Sequence, residues 1–353
     1  GTTGRPKGCM RTHRNRFASM CDILVSLFER PLGTDDVWLH AGPMTHASGL
    51  FVYPHLVAGA TQVILARFDP DETLAAVARH RVTGTVWVPT MLERVLASHA
   101  LGGTDLASLR RVTYAGAPMA PERIAAACEA LGGRLAQFYG MVEAIPPLSV
   151  LTQDDHAAAL GGRHPQRLAS AGRAVLGCDL VAVDDDGVAV PPGEVGELVV
   201  SGDHAMAGYW GREDQTGKAL RGGRLWTGDL ARIDEAGYVS IVDRRSDMII
   251  SGGYNVYPRE VEDVIAAHPA VAEVAVVGLP DVEWGQTVTA YVVPRAGNGL
   301  DSATVLAHCQ PRLAGFKKPR RVEVVADLPR GSTGKVSRKL LRERAWRGGG
   351  PKA

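Results

Sequence analysis

The chain has 353 residues, 45% of them apolar and 22% charged, with a net charge of +1 at pH 7. That length suggests two or three domains with full-sized cores, and the near-neutral balance offers no basic surface for nucleic acid or an anionic membrane. No apolar run approaches the roughly 20 residues that span a bilayer, the N-terminus carries no signal-peptide pattern, and the five scattered cysteines (Cys9, Cys21, Cys128, Cys178, Cys309) fit a reducing cytoplasm better than a disulfide framework.

The first stretch is GTTGRPKG, residues 1–8. Its glycines let backbone N–H groups converge, Thr2 and Thr3 add hydroxyl donors, and Lys7 supplies a mobile positive charge, a composition suited to cradling phosphate oxygens. It lacks the Gly-Lys-Ser/Thr order of the P-loop, and taken alone such a stretch is more often a surface turn. Phe17, Met20, Cys21, Leu24 and Phe28 then fall at helical spacing and predict one buried face. VWLHA (37–41), TQVILA (61–66), TGTVWVP (83–89) and RRVTYAG (110–116) read as short strands. A helix lies in DPDETLAAVARHR, with Asp69 as N-cap and Pro70 in the first turn. This alternation predicts an α/β domain over 1–170, a mainly parallel sheet covered by helices, with ligands at the loops that follow the strands. From 171 to 243 the pattern turns β-rich: CDLVAVDDDGVAV and GEVGELVVSG are strands around an Asp-Gly turn signal, and YVSIVD (238–243) is another. Residues 244–345 predict a small α+β domain with a helix from Pro258, strands at VAEVAVVGL and TVTAYVV, a helix from Asp301 and a strand at RRVEVV. The tail 346–353 reads as disordered.

Five further stretches carry chemistry: PMTHASG (43–49), YAGAPM (114–119), YGMVEA (139–144), WTGDLARIDEAGY followed by VDRRSDMIISGGYNVYPREVE (226–262), and LPRGSTGKVSRK (328–339). In this order and spacing, together with GTTGRPKG, they closely resemble the adenylate-forming superfamily of acyl- and aryl-CoA ligases, peptide-synthetase adenylation domains and beetle luciferase. GTTGRPKG resembles the later part of that family's phosphate loop, so the expectation is a fragment whose large N-terminal domain is incomplete and whose small C-terminal domain is mobile.

The resemblance implies a two-step reaction. A carboxylate attacks the α-phosphate of Mg-ATP to give an acyl-adenylate and pyrophosphate, and a thiol then displaces AMP. Joining an anion to a polyanion requires a metal ion, a cation and loop N–H groups. By resemblance Thr2, Thr3 and Lys7 hold the β- and γ-phosphates, and Glu143 binds Mg²⁺. Tyr139 and Gly140 lie at the adenine, with the backbone of Gly116, Ala117 and Pro118 lining the base and acyl pocket. Asp229 accepts from the ribose hydroxyls, and Arg244 contacts ribose or phosphate. His46 lies between the substrate carboxylate and the thiol path; its plain alternative is a helix-capping histidine. Lys335 bridges carboxylate and α-phosphate during adenylation. Gly252 and Gly253 line the path of coenzyme A, or simply form a tight turn.

Two positions depart from the family pattern. Val142 stands where threonine usually precedes the metal glutamate, removing a hydroxyl donor to the α-phosphate, and Ser246 stands at the usual aspartate or lysine hinge. The favoured function is an AMP-forming acid:CoA ligase acting on a medium- or long-chain fatty or aromatic acid. Small residues after His46 (Ala47, Ser48, Gly49) and Ile145-Pro146-Pro147 point to an apolar pocket. The alternatives are a non-catalytic nucleotide-binding relative and an adenylating domain that acylates a carrier protein. Oligomeric state stays open.

Overall fold

The structure is a computed structural model that describes residues 7–28, 30–295, 297, 299–331 and 336–347. Contacts sort it into two units: Gly8–Thr227 with Ala231–Ile241, and Gly228–Leu230 with the chain from Val242 onward and Lys7.

In the larger unit a two-residue strand β1 (Cys9–Met10) leads into helix α1 (His13–Ser26). Strands and helices then alternate: β2 (Val37–His40), α2 (Val52–Val57), β3 (Thr61–Ile64), α3 (Pro70–Arg79), β4 (Gly84–Trp87), α4 (Pro89–Leu96), β5 (Arg111–Tyr114), α5 (Pro121–Ala130) and β6 (Leu135–Tyr139). After β7 (Ser149–Leu151), α6 (Gln153–Leu160) and β8 (Arg173–Ala174) the chain becomes β-rich: β9 (Cys178–Val183), β10 (Gly196–Gly202), β11 (Gly208–Tyr209), α7 (Glu213–Ala219), β12 (Leu220–Arg221), β13 (Arg224–Ile233) and β14 (Val239–Arg244). The first group forms one sheet in the order β3-β2-β4-β5-β6-β7-β8, parallel from β3 to β6 and antiparallel at β7 and β8. The second forms a sheet in the order β12-β13-β10-β9, with β14 paired to β13. The expected parallel sheet and β-rich region are both present.

Strand alternation divides the core. Leu39, Leu74, Trp87, Val112 and Tyr114 bury one face of the large sheet, and Trp38, Phe51, Phe138 and Leu148 the other. Asp69 caps α3 as expected, its Oδ1 accepting the N–H groups of Asp71 and Glu72 at 3.1 Å, which contributes about 1 kcal/mol.

Helix α1 corrects the expected face. Phe17 is 63% exposed, and the residues turned inward are Asn15, Ser19, Asp22 and Ile23. The Asn15 amide donates to the carbonyls of Asp203 (2.6 Å) and Ala205 (3.0 Å), Ser19 donates to Pro146, and Asp22 accepts from Gly177 N–H (3.0 Å). Hydrogen bonds to loop backbone, which must be satisfied when buried, outrank the apolar stripe here. The apolar side of α1 instead borders an open groove of about 490 Å³ lined by Leu24, Val25, Phe28, Leu32 and Val57 among others.

The smaller unit holds β15 (Ile249–Ser251), β16 (Tyr254–Val256), α8 (Pro258–Ala266), β17 (Val271–Asp281), β18 (Gly285–Pro294), α9 (Ser302–Cys309), β19 (Arg321–Val324) and α10 (Arg338–Arg347). Its sheet runs β16-β15-β18-β17, with β19 parallel to β18. Ile249, Val261, Ile265, Val276, Val288 and Val305 fill its core. Arg338 secures α10 by a bidentate bond to Glu262 (2.6 and 3.1 Å) and contacts to Asp243 (3.3 Å) and Asp247 (3.2 Å). Because α10 runs to Arg347, it takes in the first two residues of the segment expected to be a disordered tail; 348–353 lie outside the described residues. Among the described residues no helix is long and apolar enough to cross a membrane.

Candidate functional site

In the larger unit the parallel strands bring their carboxyl ends to one edge of the sheet, and the chemistry-bearing loops leave from there. The loop after β2 carries His46. His46 precedes a 3₁₀ turn at Ala47–Phe51, its imidazole is exposed, and it makes no capping hydrogen bond, so the plain capping role is not the one it plays. Around it His46 N–H donates to Pro43 (3.0 Å) and Gly49 N–H to His46 (3.1 Å). A Cβ on Gly49 would collide with the Met44 carbonyl. Ser48 is buried with its hydroxyl 2.9 Å from His40 Nδ1, and His40 Nε2 lies 2.9 Å from Gln62. Burial pushes the His40 pKa down, which keeps the imidazole neutral between those two partners. Ser48 and Gly49 therefore also serve the turn and its anchor.

Gly116, Ala117 and Pro118 follow β5 as an exposed stretch, with Gly116 at φ +90°. Tyr139 ends β6 and Gly140 follows it, both half-buried. The loop beyond is held at nearly every residue. The Val142 carbonyl accepts from Arg11 Nη2 (2.9 Å), Arg11 Nε (3.2 Å) and the Cys9 thiol (3.3 Å). The Glu143 carbonyl accepts from Met206 N–H (2.8 Å). The Ile145 carbonyl accepts from His204 Nδ1 (2.6 Å), whose Nε2 lies 2.7 Å from Asp22. Glu143 itself takes a hydrogen bond at Oε1 from the Tyr209 hydroxyl (2.8 Å). Burial, followed by the Glu143 hydrogen bond and charge, pushes the Tyr209 pKa up; burial and then Glu143 raise that of the Cys9 thiol. Both groups stay protonated donors at neutral pH.

Among the described residues no three His, Cys, Asp or Glu side chains gather as a metal cage. A single half-exposed carboxylate nonetheless fits Mg²⁺, which is usually held by one or two carboxylates with substrate phosphates and water filling its octahedron.

In the smaller unit, Asp229 is buried and its Oδ1 pairs with Arg244 Nε at 2.6 Å. The Gly228 carbonyl accepts Arg245 N–H (2.8 Å), tying the two segments together. Gly252 and Gly253 form a two-residue turn at φ +58° and +80° between β15 and β16, with Ser251 opposite Tyr254. A side chain at Gly252 would strike the Trp284 ring. Beside this turn is a face the motifs did not announce: the Arg320 guanidinium lies 3.9 Å from the Trp284 ring centroid, and Tyr254 stacks on Phe316 at 4.7 Å. The basic run after Phe316 and the lone tryptophan before β18 were its signals. Lys7 is exposed, and Thr2, Thr3 and Lys335 lie outside the described residues.

Sequence profiles described as AMP-binding enzyme and AMP-binding enzyme C-terminal domain match residues 1–210 and 260–335. A medium/long-chain-fatty-acid–CoA ligase of Mycobacterium tuberculosis, FadD8, is 40% identical over 99% of this chain, which spans 61% of the length of that relative. A feruloyl-CoA synthase of an Amycolatopsis species is 41% identical over 98% of this chain and 68% of its own length. Among solved structures, the amide bond synthetase McbA from Marinactinospora thermotolerans superposes with a TM-score of 0.88 at 36% identity, covering 98% of this chain and 68% of McbA.

Proposed function

The chain belongs to the AMP-binding enzyme family, and from that premise we propose that the whole protein is an AMP-forming acid:CoA ligase for a fatty or aromatic carboxylic acid. Its relatives are named for acids of both kinds. The observation that carries the proposal is Glu143, a carboxylate in the loop after β6 with one oxygen held by Tyr209 and its backbone clamped on both sides.

In the first step an oxygen of the acid attacks the α-phosphorus of ATP, the bond to the bridging oxygen breaks, and pyrophosphate leaves. Glu143 would hold Mg²⁺, which when bound would offset the repulsion between the acid and the triphosphate. Glu143 fixes the nucleotide's register, while Tyr139 and the backbone of Gly116–Pro118 border the base. Asp229, oriented by Arg244, takes the ribose hydroxyls. Lys335 and Lys7 supply positive charge to the phosphates. In the second step the thiol sulfur of CoA attacks the acyl carbon, the acyl C–O bond breaks and AMP leaves. The exposed His46 imidazole is able to turn aside for the thiol or to hydrogen-bond the acid. The Trp284–Arg320 and Tyr254–Phe316 face beside Gly252–Gly253 suits the nucleotide end of CoA, which offers a ring to stack and phosphates to pair. All five cysteines are free thiols, which supports a cytoplasmic setting.

The test is pyrophosphate release by the whole protein from Mg-ATP over a panel of fatty and aromatic acids, followed by detection of the CoA thioester. Nucleotide binding without acid-dependent pyrophosphate would favour a non-catalytic relative. Transfer only to a carrier-protein thiol or to an amine would replace CoA as the acceptor.

A further inference from the structure

We propose that Tyr209 is a positioning residue for the metal-binding carboxylate: its hydroxyl fixes the Glu143 side chain so that Oε2 is presented to the cation. The inference rests on the reading of Glu143 as the Mg²⁺ ligand.

Tyr209 is nearly buried, and β11, which carries it, is held from two directions. It pairs antiparallel with β1, with Cys9 opposite Tyr209, and Tyr209 N–H donates to the Thr216 hydroxyl (2.9 Å). The same short segment grips Glu143 twice, by Met206 N–H on its carbonyl and by the Tyr209 hydroxyl on Oε1, both at 2.8 Å. Among the described residues Glu143 makes no ion pair and Oε2 accepts no hydrogen bond. Arg11, the cation close to this loop, spends Nε and Nη2 on the Val142 carbonyl. One carboxylate oxygen is thus immobilised by the tyrosine hydroxyl while the other takes no hydrogen bond among the described residues.

Fixing a glutamate side chain costs rotamer freedom. With the tyrosine bond in place that cost is met during folding, before the cation arrives. Partners that hydrogen-bond a ligating carboxylate change metal affinity by about 10- to 100-fold when lost. The hydroxyl also restricts ligation to one oxygen, which suits Mg²⁺ bound chiefly through nucleotide phosphates and water.

The experiment uses the whole protein with Mn²⁺ as an EPR-visible substitute for Mg²⁺ and a non-hydrolysable ATP analogue. Tyr209→Phe removes one oxygen atom and is expected to weaken binding of the Mn²⁺–analogue complex about 10-fold, with metal-free analogue binding unchanged. In turnover, the Mg²⁺ concentration at half-maximal rate rises by the same factor, and kcat at saturating Mg²⁺ stays near that of the parent. In a Glu143→Ala background, adding Tyr209→Phe is expected to cost nothing more. Unchanged Mn²⁺ binding in Tyr209→Phe, with strong loss in Glu143→Ala, overturns the positioning role and leaves the ligand assignment standing. Unchanged binding in Glu143→Ala overturns both. Equal weakening of metal-bound and metal-free analogue makes Tyr209 merely structural and overturns the inference.

Discussion

Val142 separates what a residue's backbone does from what its side chain does. Its carbonyl is held by Arg11 and Cys9, while the residue is 59% exposed. Replacing it by threonine leaves the backbone contacts in place and adds a hydroxyl. A hydrogen bond to a charged group contributes roughly 1.5–3 kcal/mol, so Val142→Thr is expected to raise the rate of acid-dependent pyrophosphate release by up to tens-fold. An unchanged single-turnover rate would show that the α-phosphate has another donor. Glu143 was a candidate from the sequence because YGMVEA is a local pattern. Tyr209 was not, since it lies 66 positions away and reaches Glu143 through long-range contacts, the pairing of β11 with β1 and the Met206 N–H bond to the Glu143 carbonyl. Likewise nothing in the sequence signalled the Met44 carbonyl that leaves Gly49 no room for a side chain.

Helix α2 places His55 in an aromatic nest, its Nδ1 donating to the Phe51 carbonyl (2.7 Å) and its ring 4.5 Å from that of Trp38. Burial lowers its pKa from the ordinary 6.5 to about 4; the Phe51 hydrogen bond and Asp36 oppose that, and His40 adds to it. Folded His55 therefore stays neutral where the unfolded chain takes up a proton. The stability this gives is present above pH 6.5 and drains away as pH falls toward 4, by about 2 kcal/mol at pH 5. Buried His40 and His156, both shifted downward by burial, act in the same direction. Urea midpoints at pH 7 and pH 5 should show this fall, and His55→Gln should reduce it; an equal slope in the variant would assign the effect elsewhere. Elements were legible where one local signal dominated, as with the Asp69 cap of α3 or the alternating β9 and β10. α1 shows the limit, because its apolar spacing was real and yet the buried side was chosen by distant carbonyls that needed Asn15, Ser19 and Asp22.

At the scale of the whole molecule the proposed reaction divides its two steps between different residues. Lys335→Ala in the whole protein is expected to cut acyl-adenylate formation by roughly 10²- to 10³-fold, the scale of losing one preorganised charge contact, with little effect on converting a supplied acyl-adenylate to the thioester. Gly253→Leu is expected to do the reverse. Since Gly253 sits at φ +80°, a leucine also strains the turn, so Gly253→Asn, which tolerates that conformation, should show the same selectivity more mildly. General destabilisation would depress both steps together, and equal slowing of both would refute the division. The sequence by itself determined the family and the order of strands and helices, and it marked as candidates a glycine-rich loop with a lysine, a glutamate after a strand and a pair of glycines between two strands. The family follows from the resemblance of motifs held in one order and spacing, and the strands and helices from periodicity and short-range backbone geometry, which neighbouring residues decide. Only the tertiary structure decided which face of α1 is buried, why Ser48 and Gly49 are small, that Asp229 and Arg244 pair, and that Tyr209 holds Glu143. Each of those depends on groups far apart in the chain satisfying one another's hydrogen bonds and charge once water is excluded, and no local pattern records such a partnership.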